Sequence, residues 1–265
     1  MEKTADFLKQ EERHDFSSLV EIMKLLRSEN GCPWDKEQTH ESIRANFIEE
    51  TYEVVEAIDN QDPALMREEL GDVLLQVVFH ARISEEAGEF NMDDVIHDIC
   101  AKLIHRHPHI FADVQADTSD AVLTNWEKIK TEEKHRVGLS GTLQAIPPSL
   151  PSLMKAQKIV KKTSKANLSP DPEVTLNHLR SACEAVPYAV QNECRDALKK
   201  SLSDILVAVS SIAQENGLDA EEILSDACRQ VSVSAEDAEA KWGTDLSQLS
   251  KEDRKTWSAA AFFSE

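Results

Sequence analysis

Glycine is scarce in this chain, at seven of 265 residues, and aromatic side chains make up only 5% of it. Both shortages, beside long stretches rich in Glu, Lys, Ala and Leu, favour helices over sheet. Cysteine is sparse too. The five present (Cys32, Cys100, Cys183, Cys194 and Cys228) form no CxxC pair and are odd in number. That excludes a disulfide framework and points to a reducing, cytoplasmic setting. No run approaches the ~18 apolar residues needed to cross a bilayer, and the opening MEKTADFLKQEERHD has no apolar core resembling a signal peptide. Basic residues are outnumbered, 29 to 49, for a formal charge of −20. Such an excess argues against non-specific binding to nucleic acid or to an anionic membrane. A phosphorylated substrate stays open, because a bound cation inverts the local field.

What is present is helical periodicity. FSSLVEIMKLLRSE has apolar residues at helical spacing and runs into NGCPWD, a loop marked by glycine and proline. ESIRANFIEETYEVVEAIDN and, after the break at QDP, ALMREELGDVLLQVVFHARISEEAG follow. NMDDVIHDICAKLIHR carries Asn91 as a cap with Asp94 at the capping-box position, and stops near HPH. DTSDAVLTNWEKIKTEEKHR supplies another helix. The segment GLSGTLQAIPPSLPSL concentrates glycine, serine and proline and reads as a linker. The expectation is an all-α chain of two related helical domains, 1–137 and 151–265, joined by a linker at 138–150.

The halves look related because LGDVLLQVV (70–78) matches LSDILVAVS (202–210) at an offset of 132. An internal duplication is the simplest account, and chance likeness of two buried helices is its rival.

The acids of the second and third candidate helices raise the chemical question. Residues three apart share a helix face, so Glu50 and Glu53 form one pair, while Glu49 and Glu56 project elsewhere. Glu69 and Asp72 form a second pair, in line with Gln76, His80 and Ile83. From Val73 to Phe79 that helix is apolar nearly all round, which marks it as buried. An ionised carboxylate pays several kcal/mol on leaving water unless it is paired or holds a metal. A short turn makes the two helices pack antiparallel, so the pairs can face one another. Four carboxylates without imidazole or thiolate suit Mg²⁺ or Mn²⁺ better than zinc or copper. Salt bridges to Arg44, Arg67 and Arg82 are the competing explanation.

EETYE at 49–53 followed by ELGD at 69–72 resembles the EExxE…ExxD signature of MazG-type nucleoside triphosphate pyrophosphohydrolases. NGCPWDKEQTHESI, KLIHRHPHIF and NWEKIKTEEK resemble further blocks of that family, in the expected order. The resemblance is close over 17 to about 135 and weak over 151–265. It implies an all-α, usually dimeric enzyme that cleaves a nucleoside triphosphate between its α and β phosphates. Carried over residue by residue, it implies Glu50, Glu53, Glu69 and Asp72 as holders of Mg²⁺, with Mn²⁺ a substitute. Either Glu50 or Glu69 would orient or deprotonate the attacking water.

The resemblance also implies nucleotide contacts from Lys102, Arg106, Trp126 and Lys130. Lys102 and Arg106 stand four apart on one helix face, as do Trp126 and Lys130. Trp34 and Lys36, before the acid helix, are candidates for the base or sugar. Two other patterns carry less. HRHPH lacks zinc-ligand spacing, and the ExxH pairs Glu37–His40 and Glu132–His135 lie outside apolar helices, unlike those of di-iron bundles.

In the second half, the offset of 132 puts Ala182, Ala185, Ser201 and Asp204 where the first has its four acids. Pro187 is expected to interrupt the equivalent helix, and Trp257 matches Trp126 with Ala261 in place of Lys130. The second half is therefore expected not to hydrolyse nucleotides and to serve folding, dimerisation or regulation. A non-catalytic nucleotide- or partner-binding regulator is the alternative for the whole chain, and the intact first quartet speaks against it.

Overall fold

The computed structural model describes residues 5–10, 12–112, 114–116, 118–133, 138–243 and 249–262. Among these there are helices and no strand, so the all-α expectation holds. The chain divides into two compact units, Met1–Lys130 and Thr131–Glu265. The five cysteines are unpaired. No helix among the described residues is long and apolar enough to cross a membrane.

The first unit opens with α1 (Ala5–Gln10) and α2 (Phe16–Leu26). Asp15 starts α2: its carboxylate accepts from the Ser18 N–H at 2.9 Å, and the Ser18 hydroxyl accepts from the Asp15 N–H at 3.2 Å. These two bonds satisfy donors that every helix start leaves open. After α2 the chain doubles back so tightly that a Cβ on Gly31 would collide with the carbonyl oxygens of Leu25 and Leu26. Only glycine permits that approach. The stretch read as a loop at NGCPWD is only partly one, since Pro33–Glu37 forms a short helix, α3, with proline at its first position.

The centre of the unit is a helical hairpin, α4 (Arg44–Asp59) and α5 (Pro63–Glu86). Its turn is fixed by local chemistry. Gln61 takes a left-handed backbone with φ of 52°. The Asp62 carboxylate then caps the N–H groups of Ala64 and Leu65 at 2.9 and 3.1 Å, and Pro63 occupies the first helical position. The core beneath joins Met23, Ile43, Val78 and Phe79, with Leu19, Val20, Leu75, Ile83 and Met92 packed around them.

α6 (Met92–Arg106) starts with the capping box expected from the sequence, Asn91 and Asp94 bonding each other's backbone at 3.1 and 2.9 Å. α7 (Pro108–Phe111) and α8 (Ser119–Glu133) follow. Val137, the expected domain end, and His135 of the second ExxH pair lie outside the described residues.

Arg27 ties the region before the hairpin to α5. Its guanidinium meets Glu86 at 2.8 Å and donates to the carbonyl oxygens of Asp35 and Gln38. Partial burial works against the Glu86 charge, yet Arg27 and Arg82 together hold its carboxyl below the usual range. Arg27→Ala is expected to cost about 3 kcal/mol, because Glu86 loses a partner and two carbonyls lose a donor. Urea denaturation followed by circular dichroism measures it.

In the second unit the 138–150 segment is not wholly irregular, since Gly138–Gln144 forms the short helix α9. α10 (Ser152–Lys165), α11 (Pro172–Gln191), α12 (Arg195–Glu215), α13 (Ala220–Trp242) and α14 (Lys251–Phe262) complete the chain. α11 and α12 form a second hairpin. Gln157 of α10 staples the start of α13, donating to the Leu218 carbonyl at 2.8 Å and accepting from the Ala220 N–H at 2.9 Å. Pro187 does not interrupt α11, contrary to expectation; the helix runs through it. Proline removes one backbone bond and crowds the carbonyl four residues back. Close packing of Ala182 and Ala189, both buried on the same helix, holds the segment helical despite that cost.

Candidate functional site

The hairpin carries the acids. Glu50 and Glu53 lie on α4, Glu69 and Asp72 on α5. Glu50, Glu69 and Asp72 each offer a carboxylate oxygen, and these atoms lie within 4.8 Å of one another. Glu53 adjoins them, since it hydrogen-bonds the carboxyl groups of both Glu50 and Glu69. Glu69 is only 9% exposed, whereas Glu49 and Glu56 face solvent, as their helix positions required.

The electrostatics follow from that packing. Desolvation raises Glu50, the hydrogen bond to Glu53 adds to it, and repulsion from Glu53, Asp72 and Glu69 carries its pKa to about 7. Glu69 is raised for the same reasons, desolvation first and then the charges of Glu53, Asp72 and Glu68. The competing salt-bridge explanation finds no support. Arg82 bonds Glu85 and Glu86 instead, and among the described residues no cation pairs with any of the four acids. An all-oxygen set of this size, without neutralising cations, fits a small hard dication.

α5 is less enclosed than its apolar sequence implied. Leu70 and Leu74 are exposed on it, as are Ile48, Tyr52, Val55 and Ile58 on α4. The hairpin buries one side against the core and leaves an apolar face uncovered. Uncovered apolar faces of this kind mark interaction surfaces.

A second cluster gathers where α6 meets α8. The Arg106 guanidinium lies 5.7 Å and the Lys130 ammonium 5.6 Å from the centre of the Trp126 ring, within cation–π range. Arg106 is buried. The Trp126 indole N–H is buried without an acceptor. Its counterpart Trp257 donates to the Ser234 carbonyl at 3.0 Å. Lys102 is exposed on α6, one turn before Arg106, and shares a helix face with it rather than a contact.

Trp34 and Lys36 are not drawn into either cluster. Trp34 is 57% exposed on α3, and the Lys36 ammonium donates to the Glu29 carbonyl at 2.6 Å. The Lys36 bond ties α3 back to the loop that precedes it.

One contact had no signal in the sequence. His40 and His80 meet Nδ1 to Nδ1 at 2.7 Å, and the buried Ser84 hydroxyl lies 3.2 Å from the other nitrogen of His40. With planes only 4° apart and centroids 5.0 Å apart, the rings meet edge to edge. Burial and the neighbouring His40 lower the His80 pKa. The pair clasps the segment before α4 to α5. Forty residues separate the partners, and no periodicity links them.

At the positions that the offset of 132 assigns in the second unit, the described residues bring no acid cluster together. Ala182 and Ser201 are buried, Ala185 is exposed, and the remaining acid, Asp204, pairs with Lys200 at 2.8 Å.

Comparison with known proteins adds sequence kinship to this geometry. The profile of the MazG nucleotide pyrophosphohydrolase domain matches residues 38–111. The chain is 41% identical over 215 residues to the nucleoside triphosphate pyrophosphohydrolase of Escherichia coli K12, covering 79% of this chain and 81% of that protein. It is 39% identical over 216 residues to the nucleoside triphosphate pyrophosphohydrolase/pyrophosphatase MazG of Thermotoga maritima, covering 81% and 82%. It is 40% identical over 253 residues to the uncharacterized protein YabN of Bacillus subtilis, covering 93% of this chain but 52% of YabN. The chain thus spans about half the length of that last relative.

Proposed function

The chain belongs to the MazG family of nucleoside triphosphate pyrophosphohydrolases, and we propose that its first unit hydrolyses nucleoside or deoxynucleoside triphosphates, with Mg²⁺, to the monophosphate and pyrophosphate. The observation that carries this reading is the acid quartet. Three of its oxygens converge within 4.8 Å, no cation among the described residues pairs with them, and one carboxyl is pushed to about 7.

Glu50, Glu53, Glu69 and Asp72 would hold the cation. Bound there, Mg²⁺ supplies Lewis acidity toward phosphate oxygens and toward water. Glu50 or Glu69 takes the proton of the attacking water, a role that suits a carboxyl raised toward neutrality. The water oxygen bonds to phosphorus as the bridge between the α and β phosphates breaks, and pyrophosphate departs. Lys102, Arg106 and Lys130 supply positive charge to the nucleotide. Trp126 holds the last two by its ring, and its free N–H is ready for an acceptor on the ligand. Trp34 and Lys36 contact the base or sugar from α3, before the hairpin.

The uncovered apolar face of α4 and α5 is where a second copy of the chain would dock, which supports a homodimer. The unpaired cysteines and acidic charge support a cytoplasmic protein that binds neither nucleic acid nor membrane. The second unit, with Asp204 neutralised by Lys200, supports folding, dimerisation or regulation.

Incubating the full chain with each triphosphate and Mg²⁺, and separating pyrophosphate from orthophosphate, tests the reaction. Monophosphate and pyrophosphate are expected. Diphosphate and orthophosphate would refute the bond assignment, and no product from any triphosphate would favour a non-catalytic regulator.

A further inference from the structure

One buried polar group on α5 lies unpaired. Gln76 is 7% exposed, and its amide oxygen is buried without a hydrogen-bond partner. A buried acceptor left unpaired is costly, and native proteins rarely keep one without a reason. A leucine or methionine would fill the same volume without stranding a polar atom.

Its position supplies the reason. Gln76 stands one helical turn beyond Asp72 and two beyond Glu69, on the face that carries the acids. Side chains on a helix lean toward its N-terminus, so Gln76 covers the turn that holds Asp72. No hydrogen bond reaches its oxygen from the neighbours on that face. Glu69 and Asp72 offer only acceptors when ionised, and the Glu50 carboxyl is engaged with Glu53. One turn further on, the Nδ1 of His80 is committed to His40. The backbone N–H groups of the helix interior are spent on the helix itself. What the amide oxygen lacks is a donor or a cation from outside the protein, the same lack that the four carboxylates share.

We propose that Gln76 is a further member of the first unit's site, a positioning residue whose amide oxygen faces the hydrated divalent cation held by the acid quartet. The inference rests on the reading of the quartet as a Mg²⁺ site. Magnesium keeps much of its water when it binds protein, and that shell supplies the donors that Gln76 lacks. Groups that orient a metal's surroundings typically change its affinity by 10–100-fold when removed.

Two readouts of opposite sign test this. The full-length chain, stripped of divalent cations, is melted and then titrated with Mn²⁺, with free Mn²⁺ counted by electron paramagnetic resonance. Gln76→Met is expected to raise the melting temperature of the metal-free chain and to weaken Mn²⁺ binding by about tenfold. Gln76→Glu, which keeps an oxygen acceptor, is expected to bind Mn²⁺ at least as tightly as the natural chain while melting lower without it. Gln76→Leu repeats the first substitution should the methionine variant fail to fold. A methionine or leucine variant that binds Mn²⁺ as the natural chain does would overturn the proposal and leave the quartet's role standing. A variant that loses both stability and affinity would overturn it too, because packing alone then explains Gln76. If the natural chain takes up no Mn²⁺, the quartet is not a metal site and the inference falls with it.

Discussion

Replacing Glu69 with glutamine is expected to lower triphosphate turnover by about 10³-fold while the metal-free protein melts at a higher temperature than the natural chain. The activity loss follows from two roles. Glu69 contributes an oxygen to the convergent cluster, and it is one of two candidates for the general base, a function that supplies roughly 10²–10⁴ in rate. The stability gain follows from the same packing. Glu69 is raised by desolvation and by the charges of Glu53, Asp72 and Glu68, so a neutral amide of equal size relieves repulsion and gives the neighbouring carboxylates a donor. Few substitutions separate function from folding so cleanly, and the opposite signs guard against mistaking an unfolded variant for an inactive one. The same protein reports on the second unit. If Ala182, Ser201 and the Lys200–Asp204 pair form no working site, nothing compensates, and residual turnover stays near background. Asp204→Asn in the natural chain should leave turnover unchanged. Glu69→Gln at full activity would remove Glu69 from the mechanism.

The hairpin was legible because its chemistry is local. The spacing Glu50–Glu53 and Glu69–Asp72 sets each pair on one face whatever the rest of the fold does, and Asp62-Pro63 marks the turn between them by its own capping geometry. Asn91 and Asp94 were readable for the same reason. Misreadings arose where a long-range partner decides. Pro187 argued for a break, yet the packed hairpin of the second unit keeps α11 whole. The apolar run from Val73 to Phe79 implied burial all round, but Leu74 is exposed, because periodicity gives apolarity and not what covers it. The His40–His80 contact and the approach of Arg106 to Trp126 depend on which helices meet, which no single segment encodes, whereas Lys130 reaches Trp126 from one turn along the same helix, as its spacing indicated. The acid quartet itself shows both sides: each pair was written in one helix, and only the antiparallel packing of α4 on α5 brought them together.

That packing makes cation binding a pH-dependent event, and Mg²⁺ should be linked to a proton. Glu50 titrates at about 7 in the folded chain against an ordinary value of 4.5. Between those values the folded state holds a proton that the unfolded state has released, so stability from this group is complete below pH 4.5 and lost as pH rises through 7. His80 acts in the opposite direction. Its lowered pKa gives stability that is present above its ordinary 6.5 and lost as pH falls. The Glu50 contribution is therefore read as the difference between the natural chain and Glu50→Gln, which keeps His80. A cation and a proton compete for the same oxygens. At pH 6.5, calorimetric titration with Mg²⁺ in buffers of different ionisation enthalpy should show most of one proton released, falling toward zero by pH 8.5. With Mg²⁺ at a hundredfold excess over its dissociation constant, binding to the folded state alone adds about 2.7 kcal/mol. For a chain of this size that raises the melting temperature by about 5–10 °C. Chelation should reverse the gain, and Glu50→Gln should remove the part of the proton release, and of its pH trend, that Glu50 carries. Identical melting with Mg²⁺ and with chelator across this range would mean that the four carboxylates tolerate one another without a cation, and the case for a metal-dependent hydrolase in the first unit would lose its physical basis.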